Sequence, residues 1–460
     1  MSKNADVEKL IKKADLPNRQ AEAWHPFYQG KIEVTPKVKI DDFSDFAVWY
    51  TPGVARACKI IADEINNFGS SKASYTFTNR WNNVAVVSDG SRVLGLGDIG
   101  PEASMPVMEG KALLFKYLGG VDAFPICLDC HDTEEIITAV KWIQPTFGGI
   151  NLEDISQPKC FEVLDRLRDD KDVRIPVWHD DQQGTAAIIL AAFFNAIKYV
   201  NKKIDEVLIS MVGAGAANIA AARVMIAAGV PQKNIIMVDT KGILSQTRKD
   251  IEAVKDEWKY KWNMCLNSNG EGRQGDLLAA MRNTDVVIAA SCPGPGIIKP
   301  EHVKAMNDNA IVFACANPVP EIWPWEAKEA GACIIATGRS DFPNQVNNSL
   351  GFPGIFRGTL DVQAVTITDN MVIAAANELA KTAEDKGLSP EYIVPDMDEW
   401  EVFPREAAAV GQQGIKDSVA RRKLSYKEAF EKAECIIKKA REQTRSMMDL
   451  KYILRPPDVR

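Results

Sequence analysis

The chain has 460 residues, 46% hydrophobic and 25% charged, enough apolar material for a large core spread over two or three domains. A formal net charge of −7 offers no basic field to gather a polyanion, which argues against nucleic acid as a partner. No window holds the run of about eighteen apolar residues that a membrane span needs, and the opening MSKNADVEKLIKKADLP mixes charge into an amphipathic pattern, so a cytoplasmic protein is expected.

In chain order, residues 82 to 96 read as two strands, NVAVV and RVLGL, joined through Asp89-Gly90 in a hairpin turn. A glycine-dotted loop follows. Helical spacing runs from about Met108 to Leu118, and VDAFPICL forms a further strand, which together make an α/β region of ordinary domain size. From about residue 174 strands and helices alternate through RIPVW, GTAAIILAAFFNAIKYV, EVLISMV, ANIAAARVMIAAG and NIIMVD, and the series continues at DVVIAAS, AIVFACAN and CIIATG. Near-continuous apolar strands between helices predict a doubly wound, parallel-sheet α/β fold covered on both faces. Beyond residue 360 the pattern is helical, and 424 to 448 is an amphipathic, charge-rich helix suited to packing on the body or on a second subunit. The expected division is an N-terminal α/β domain over 1–160, a Rossmann-like domain over 161–360 and a helical C-terminal segment over 361–460.

Nine cysteines without an export signal are expected to stay reduced. Cys127, Cys130 and His131 form C-x-x-C-H, a spacing that can attach a c-type haem or make a redox pair. A cytosolic setting and the strand-like run before it favour plain buried or turn thiols.

Gly213-Ala214-Gly215 follows the strand EVLISMV and opens an alanine-rich helix, where backbone amides can approach a pyrophosphate. Asn218 stands in place of the third glycine of G-x-G-x-x-G, so close helix packing falls to Ala216, Ala217 and Ala220. Asp239 ends the next strand, 24 residues after Gly215, where a carboxylate can accept hydrogen bonds from the adenosine ribose. A tight turn without a ligand would share the glycines but has no need of that acid. The acid favours NAD slightly over NADP, because it repels a 2′-phosphate, while Lys241, Arg248 and Lys249 are near enough in sequence to turn toward one.

Asp180 and Asp181 close the strand RIPVWH just before a helix, the place where open α/β sheets bind ligands. Glu153-Asp154 in GGINLEDI lies about 25 residues earlier, and three or four carboxylates can cage Mg²⁺ or Mn²⁺ in hard oxygen. Capping of helix amides is the plainer use of such pairs.

With these blocks in view the chain resembles the malic enzyme family from about Tyr50 to about Gly358. YTPGVA at 50 to 55, VLGLGDIG at 93 to 100 and PVMEGKALLF at 106 to 115 match its signatures, and GGINLEDI, PVWHDDQQGTAA, VGAGAAN, CANPVPE and NNSLGFPG follow in the family's order. The resemblance implies oxidative decarboxylation of L-malate to pyruvate and CO₂ with NAD or NADP and Mg²⁺ or Mn²⁺, with malolactic conversion to lactate as the alternative. It implies that Tyr50 and Lys111 carry the proton transfers. It assigns the metal to Glu153, Asp154 and one or both of Asp180 and Asp181, Asp181 being favoured as the direct third ligand. Asn317 and Asn347 or Asn348 are implied as substrate contacts, and Arg92 matches the substrate-carboxylate arginine of the larger members. Lys111, buried near a cation, is expected to give up its proton near neutral pH. Asn347-Asn348-Ser349 also scans as a glycosylation sequon, which a cytosolic chain would not use. A homodimer or higher symmetric oligomer is expected on general grounds.

Overall fold

The computed structural model describes residues 16–459, so most of the amphipathic opening lies outside the described residues. Two helices, α1 (Val54–Phe68) and α2 (Lys72–Phe77), lead into a four-stranded sheet. That sheet is built from β1 (Asn83–Ser88), β2 (Asp122–Cys127), β3 (Gly149–Leu152) and β4 (Val177–His179), in the order β2-β1-β3-β4 and parallel throughout. The crossovers between strands are α3 (Pro101–Gly119), α4 (Thr133–Ile143) and α5 (Lys159–Asp169).

Two expectations change here. The Asp89-Gly90 dipeptide does not join a hairpin: β1 pairs in parallel with β2 and β3, and residues 93 to 97 make only an isolated bridge within a loop. Gly90 still needs its turn conformation, with φ +68° and a methyl that would collide with the Gly100 carbonyl. The strand at RIPVW, expected to begin the dinucleotide sheet, instead closes the first one as β4. An apolar strand carries no mark of which sheet it joins.

After β4 a π-helical turn (Asp180–Gly184) runs into α6 (Thr185–Tyr199), which is apolar on nearly every side. The second sheet then takes β5 (Ile209–Val212), β6 (Ile235–Asp239), β7 (Gly242–Ile243), β8 (Val286–Ala289), β9 (Ala310–Ala314) and β10 (Ala332–Thr337), with α7 (Ala216–Ala227) following β5. Its order is β10-β9-β8-β5-β6-β7, parallel except for β7, which turns back on β6. Chain order reverses between β5 and β8, leaving a crevice beyond their carboxyl ends. The chain finishes with α8 (Phe352–Asp361), α9 (Asp369–Lys386), α10 (Val402–Lys416) and α11 (Tyr426–Asp449).

The C-terminal helices return to the first sheet. α8 packs on α3 and α10, and α11 lies across α3 and α10. Arg357 of α8 is fully buried, bonded to Asp361 at 3.0 and 3.1 Å and to Asn82 just ahead of β1 at 2.5 Å. Lys432 of α11 reaches the same Asp361 at 2.7 Å. No described helix is long and apolar enough to cross a membrane.

Candidate active site

Parallel register places the acidic residues side by side. Val87 pairs with Leu152 and Leu152 with His179, so Glu153 and Asp180 leave the sheet together at its carboxyl edge, beside Ser88, the last residue of β1. Asp154 then adopts a left-handed backbone at φ +53°, and Asp180 opens the π-helical turn; both local irregularities are of a kind found at functional sites.

The two acidic pairs converge. Lys111, halfway along α3 and 7% exposed, sets its Nζ 2.9 Å from Glu153 Oε1 and 2.6 Å from Asp180 Oδ2. The Asp154 amide donates to Asp181 Oδ2 at 2.9 Å. Around them Asn151 donates to Glu153 at 2.8 Å, and the Trp178 indole donates to Asp180 Oδ1 at 3.1 Å. The Phe352 ring lies under the Lys111 ammonium, 4.4 Å from Nζ to its centroid.

Burial and crowding of like charges push the Glu153 carboxyl well above its ordinary range and Asp154 up to about 8, and burial raises Asp180 as well. For Lys111 two opposing effects meet. Burial lowers it, but Asp180 and Glu153 outweigh burial and hold it protonated.

Among the described residues no group of three or more His, Cys, Asp or Glu side chains is arranged as a ready-made metal cage. In the described geometry the Lys111 ammonium lies between two of the carboxylates. The chemistry of the donor set nevertheless suits a hard divalent cation. Acidic oxygens exceed the one lysine that faces them, and Asp154 Oδ2 is buried with no hydrogen-bond partner.

The remaining expected residues fall into three groups. Arg92 is exposed on the loop over the cluster; its amide donates to the Asp154 carbonyl at 3.0 Å and its charge offsets part of the rise in the Asp154 carboxyl. On the same loop Gly95 faces the second lobe, where a methyl would lie 3.7 Å from the Asn317 carbonyl oxygen. Asn348 sits where the turn after β4 meets the start of α8: a methyl on Gly184 would collide with Asp180 and lie 3.3 Å from Asn348 Cβ. Asn347 caps the short turn Asn348–Leu350 just ahead of α8, accepting from the Ser349 amide at 3.0 Å. Tyr50 is not drawn into the cluster; it is 74% exposed on the segment before α1.

The glycine turn lies close by, because α7 packs against the π-helical turn that carries Asp180 and Asp181. Gly213 has φ +98°, and a methyl there would lie 2.9 Å from the Ala290 carbonyl at the end of β8. Gly215 precedes the first turn of α7, with Ala216 and Ala217 leading it. Asn218, at the position of the missing third glycine, spends its amide on the carbonyls of Val212 and Gly213 at 2.8 and 2.9 Å, bracing the turn from within. Asp239 lines a cavity of about 750 Å³ with Gly213, Ile243 and Leu277. Burial raises the Asp239 carboxyl, but two hydrogen bonds of 2.9 Å from Arg248 and the Lys261 ammonium at 2.7 Å hold it below the usual range.

Sequence reasoning missed several supports. Asp89, read as a turn residue, is fully buried and ion-paired with Lys159. His179 is buried 3.7 Å from Asp181 with neither ring nitrogen hydrogen-bonded. Phe352 stood within a quoted block, yet nothing local announced its place under Lys111. All nine cysteines are free thiols, and burial raises both Cys127 and Cys130, the opposite of a reactive pair.

Residues 29–168 match the family model described as the malic enzyme N-terminal domain, and residues 182–413 match the malic enzyme NAD binding domain. The NAD-dependent malic enzyme of Geobacillus stearothermophilus is 48% identical over 85% of this chain and 78% of its own length. A bifunctional malic/malolactic enzyme of Bacillus subtilis is 44% identical over 89% of this chain and 95% of its own. Among solved structures, the malic enzyme of Entamoeba histolytica superposes with a TM-score of 0.93 at 48% identity, covering 98% of this chain and 92% of that one.

Proposed function

Given that this chain belongs to the malic enzyme family and oxidatively decarboxylates malate with a nicotinamide dinucleotide, we propose that the Lys111 cluster is its reaction centre. The observation that carries this reading is the meeting of Glu153 and Asp180 on one buried lysine, beside the turn that begins at Gly213.

Lys111 first passes a proton to Asp180, 2.6 Å away, whose carboxyl burial makes receptive, and the neutral amine then takes the proton of the malate C2 hydroxyl as hydride passes to the nicotinamide. Arg92, Asn317, Asn347 and Asn348 are the groups suited to bind the two substrate carboxylates. Tyr50 returns a proton to C3 after CO₂ leaves. Glu153, Asp154 and Asp181, with Asp180 behind them, would hold Mg²⁺ or Mn²⁺, which when bound polarises the 2-keto group and offsets the enolate charge. Gly213, Gly215, Ala216 and Ala217 present backbone to the pyrophosphate, braced by Asn218, and Asp239 faces the ribose. Ionised Asp239 favours NAD slightly, tempered by the guanidinium already bound to it.

The test incubates purified protein with L-malate, Mn²⁺ and either NAD⁺ or NADP⁺, following reduced nucleotide together with the acid formed. Pyruvate in step with nucleotide reduction, abolished by chelator, is expected. Lactate without nucleotide reduction would favour the malolactic reading, and oxaloacetate without CO₂ would overturn both.

A further inference from the structure

Glu321 is fully buried at the carboxyl edge of the second sheet, and no step of the malate reaction uses it. Its place follows from where two strands part. β8 and β9 run in register to Ala289 and Ala314, and beyond them the Cys315 amide still reaches the Ala289 carbonyl at 2.8 Å. Past that bond the two chains go to different tasks. Ser291 lines the cavity it shares with Gly213 and Asp239, and a methyl on Gly213 would lie 3.3 Å from its Cα. Ala316 leads directly into Asn317, a group suited to the substrate.

The Glu321 carboxylate takes over where the ladder stops. Its Oε1 accepts from the Ser291 amide at 2.9 Å and the Ser291 hydroxyl at 3.1 Å, and its Oε2 accepts from the Ala316 amide at 3.1 Å. An ionised carboxylate is suited to this because both of its oxygens accept, whereas a carboxamide would turn an N–H against one of the two amides. Burial raises the Glu321 carboxyl, and these donors offset part of the rise. Its backbone holds the same loop from the other end: the Glu321 carbonyl accepts from the amides of Gly296 and Ile298 at 3.2 and 3.1 Å. The loop 291–298 in turn reaches the carboxylate cluster. A methyl on Gly95, in the loop that covers the cluster, would lie 3.4 Å from Pro293 Cγ and 3.7 Å from the Asn317 carbonyl oxygen.

We propose that Glu321 is a positioning residue for hydride transfer, fixing Ser291 on the nicotinamide side of the crevice and Asn317 on the substrate side at the separation that transfer from malate C2 requires. The nicotinamide half of a dinucleotide belongs on this side because β6, which ends in Asp239 and the ribose, flanks β5 on one side and β8 flanks it on the other, across the reversal of strand order. Glu321 touches no reacting atom and acts through the two chain ends it joins. The inference rests on the reading of the Lys111 cluster as the reaction centre. Loss of CO₂ from the 2-keto acid is served by the carboxylates of the first sheet, so Glu321 governs the first half of the reaction and not the second.

The test uses Glu321→Gln, which keeps the volume and breaks one of the two ties. Malate oxidation by the Mn²⁺-loaded enzyme is expected to slow by about tenfold to a hundredfold. Deuterium at C2 of malate is expected to slow the variant more than it slows the wild type, because hydride transfer then limits turnover. Decarboxylation of added oxaloacetate, which needs no hydride, stays near the wild-type rate. NADH binds with nearly the wild-type affinity in calorimetry, while the change in nicotinamide emission on binding is largely lost. Ser291→Ala removes the hydroxyl but keeps the amide on Oε1, and its loss in malate oxidation is the smaller, about tenfold at most. Malate oxidation and oxaloacetate decarboxylation falling by one common factor in Glu321→Gln, or malate oxidation unchanged there, would overturn the proposal and leave the Lys111 reading standing. If Glu321→Gln does not fold, Ser291→Ala decides alone: a raised isotope effect with normal oxaloacetate decarboxylation supports the role, and an unraised one overturns it. Wild-type protein that decarboxylates no oxaloacetate overturns the reading of the cluster, and this role with it.

Discussion

Replacing Lys111 with methionine separates what the lysine does for the fold from what it does for the reaction. The side chain keeps most of its length but loses the ammonium that stands 2.9 Å from Glu153 and 2.6 Å from Asp180, both buried. Removing one partner of a buried ion pair costs about 3–5 kcal/mol, because the charge left behind is uncompensated. Methionine still covers Phe352, so little of that cost comes from packing. In chelator, the urea midpoint of Lys111→Met is therefore expected well below that of the wild type. A divalent cation taken up by the same oxygens supplies the missing charge, so saturating Mn²⁺ is expected to restore most of the midpoint. It cannot restore the proton acceptor, and turnover at saturating malate stays down by about a hundredfold or more. Turnover within tenfold of wild type, or a stability loss indifferent to Mn²⁺, would refute the reasoning.

Gly213→Ala meets the Ala290 carbonyl at 2.9 Å with φ at +98°, so strain of about 1–3 kcal/mol is expected. Titration calorimetry should find NAD⁺ affinity down by about tenfold or more, and unchanged affinity would remove Gly213 from the nucleotide site. Arg248→Ala frees Asp239 from its bidentate partner, and the ratio of kcat/KM for NAD⁺ over NADP⁺ is expected to rise; an unmoved ratio would show that the guanidinium plays no part in nucleotide choice. Glu406 of α10 is fully buried with no hydrogen bond to either oxygen, and burial pushes its carboxyl well above its ordinary range. The folded state thus keeps a proton that the unfolded chain releases, so this contribution is complete below the ordinary glutamate range and is lost as pH rises through the folded value. Glu406→Gln should flatten the fall in thermal stability between pH 5 and 9, and an identical slope would refute that account.

Much of the architecture was legible because the determining signals are local. A strand's apolar run, the glycines at 213 and 215 and the acid that ends β6 each announce themselves within a few residues. What was not legible depends on pairing at a distance. Asp89-Gly90 marks a change of direction but cannot say that β1 will lie between β2 and β3. The strand at β4 looks the same whichever sheet receives it. The expectation for Lys111 rested on burial beside a cation, and the sequence could not show how closely Glu153 and Asp180 approach it, an approach that outweighs burial. The apolar spacing along α1 is visible in the sequence, but only the folded chain shows that none of it is buried. Asn218 is the converse case, an apparent defect in a motif that becomes a brace once its amide is seen on the two carbonyls of the turn.

The uniformly apolar helix α6 joins the carboxylate turn at one end to the second sheet at the other, and Ala186–Phe193 is buried without interruption. One continuous core runs past it from the first sheet through the C-terminal helices and along one face of the second sheet. Cutting the polypeptide between the carboxylate cluster and the glycine turn would therefore strand a wholly greasy rod in water. The two halves are therefore expected to melt as a single cooperative unit, and evolutionary shuffling of either one alone would carry α6 along or fail.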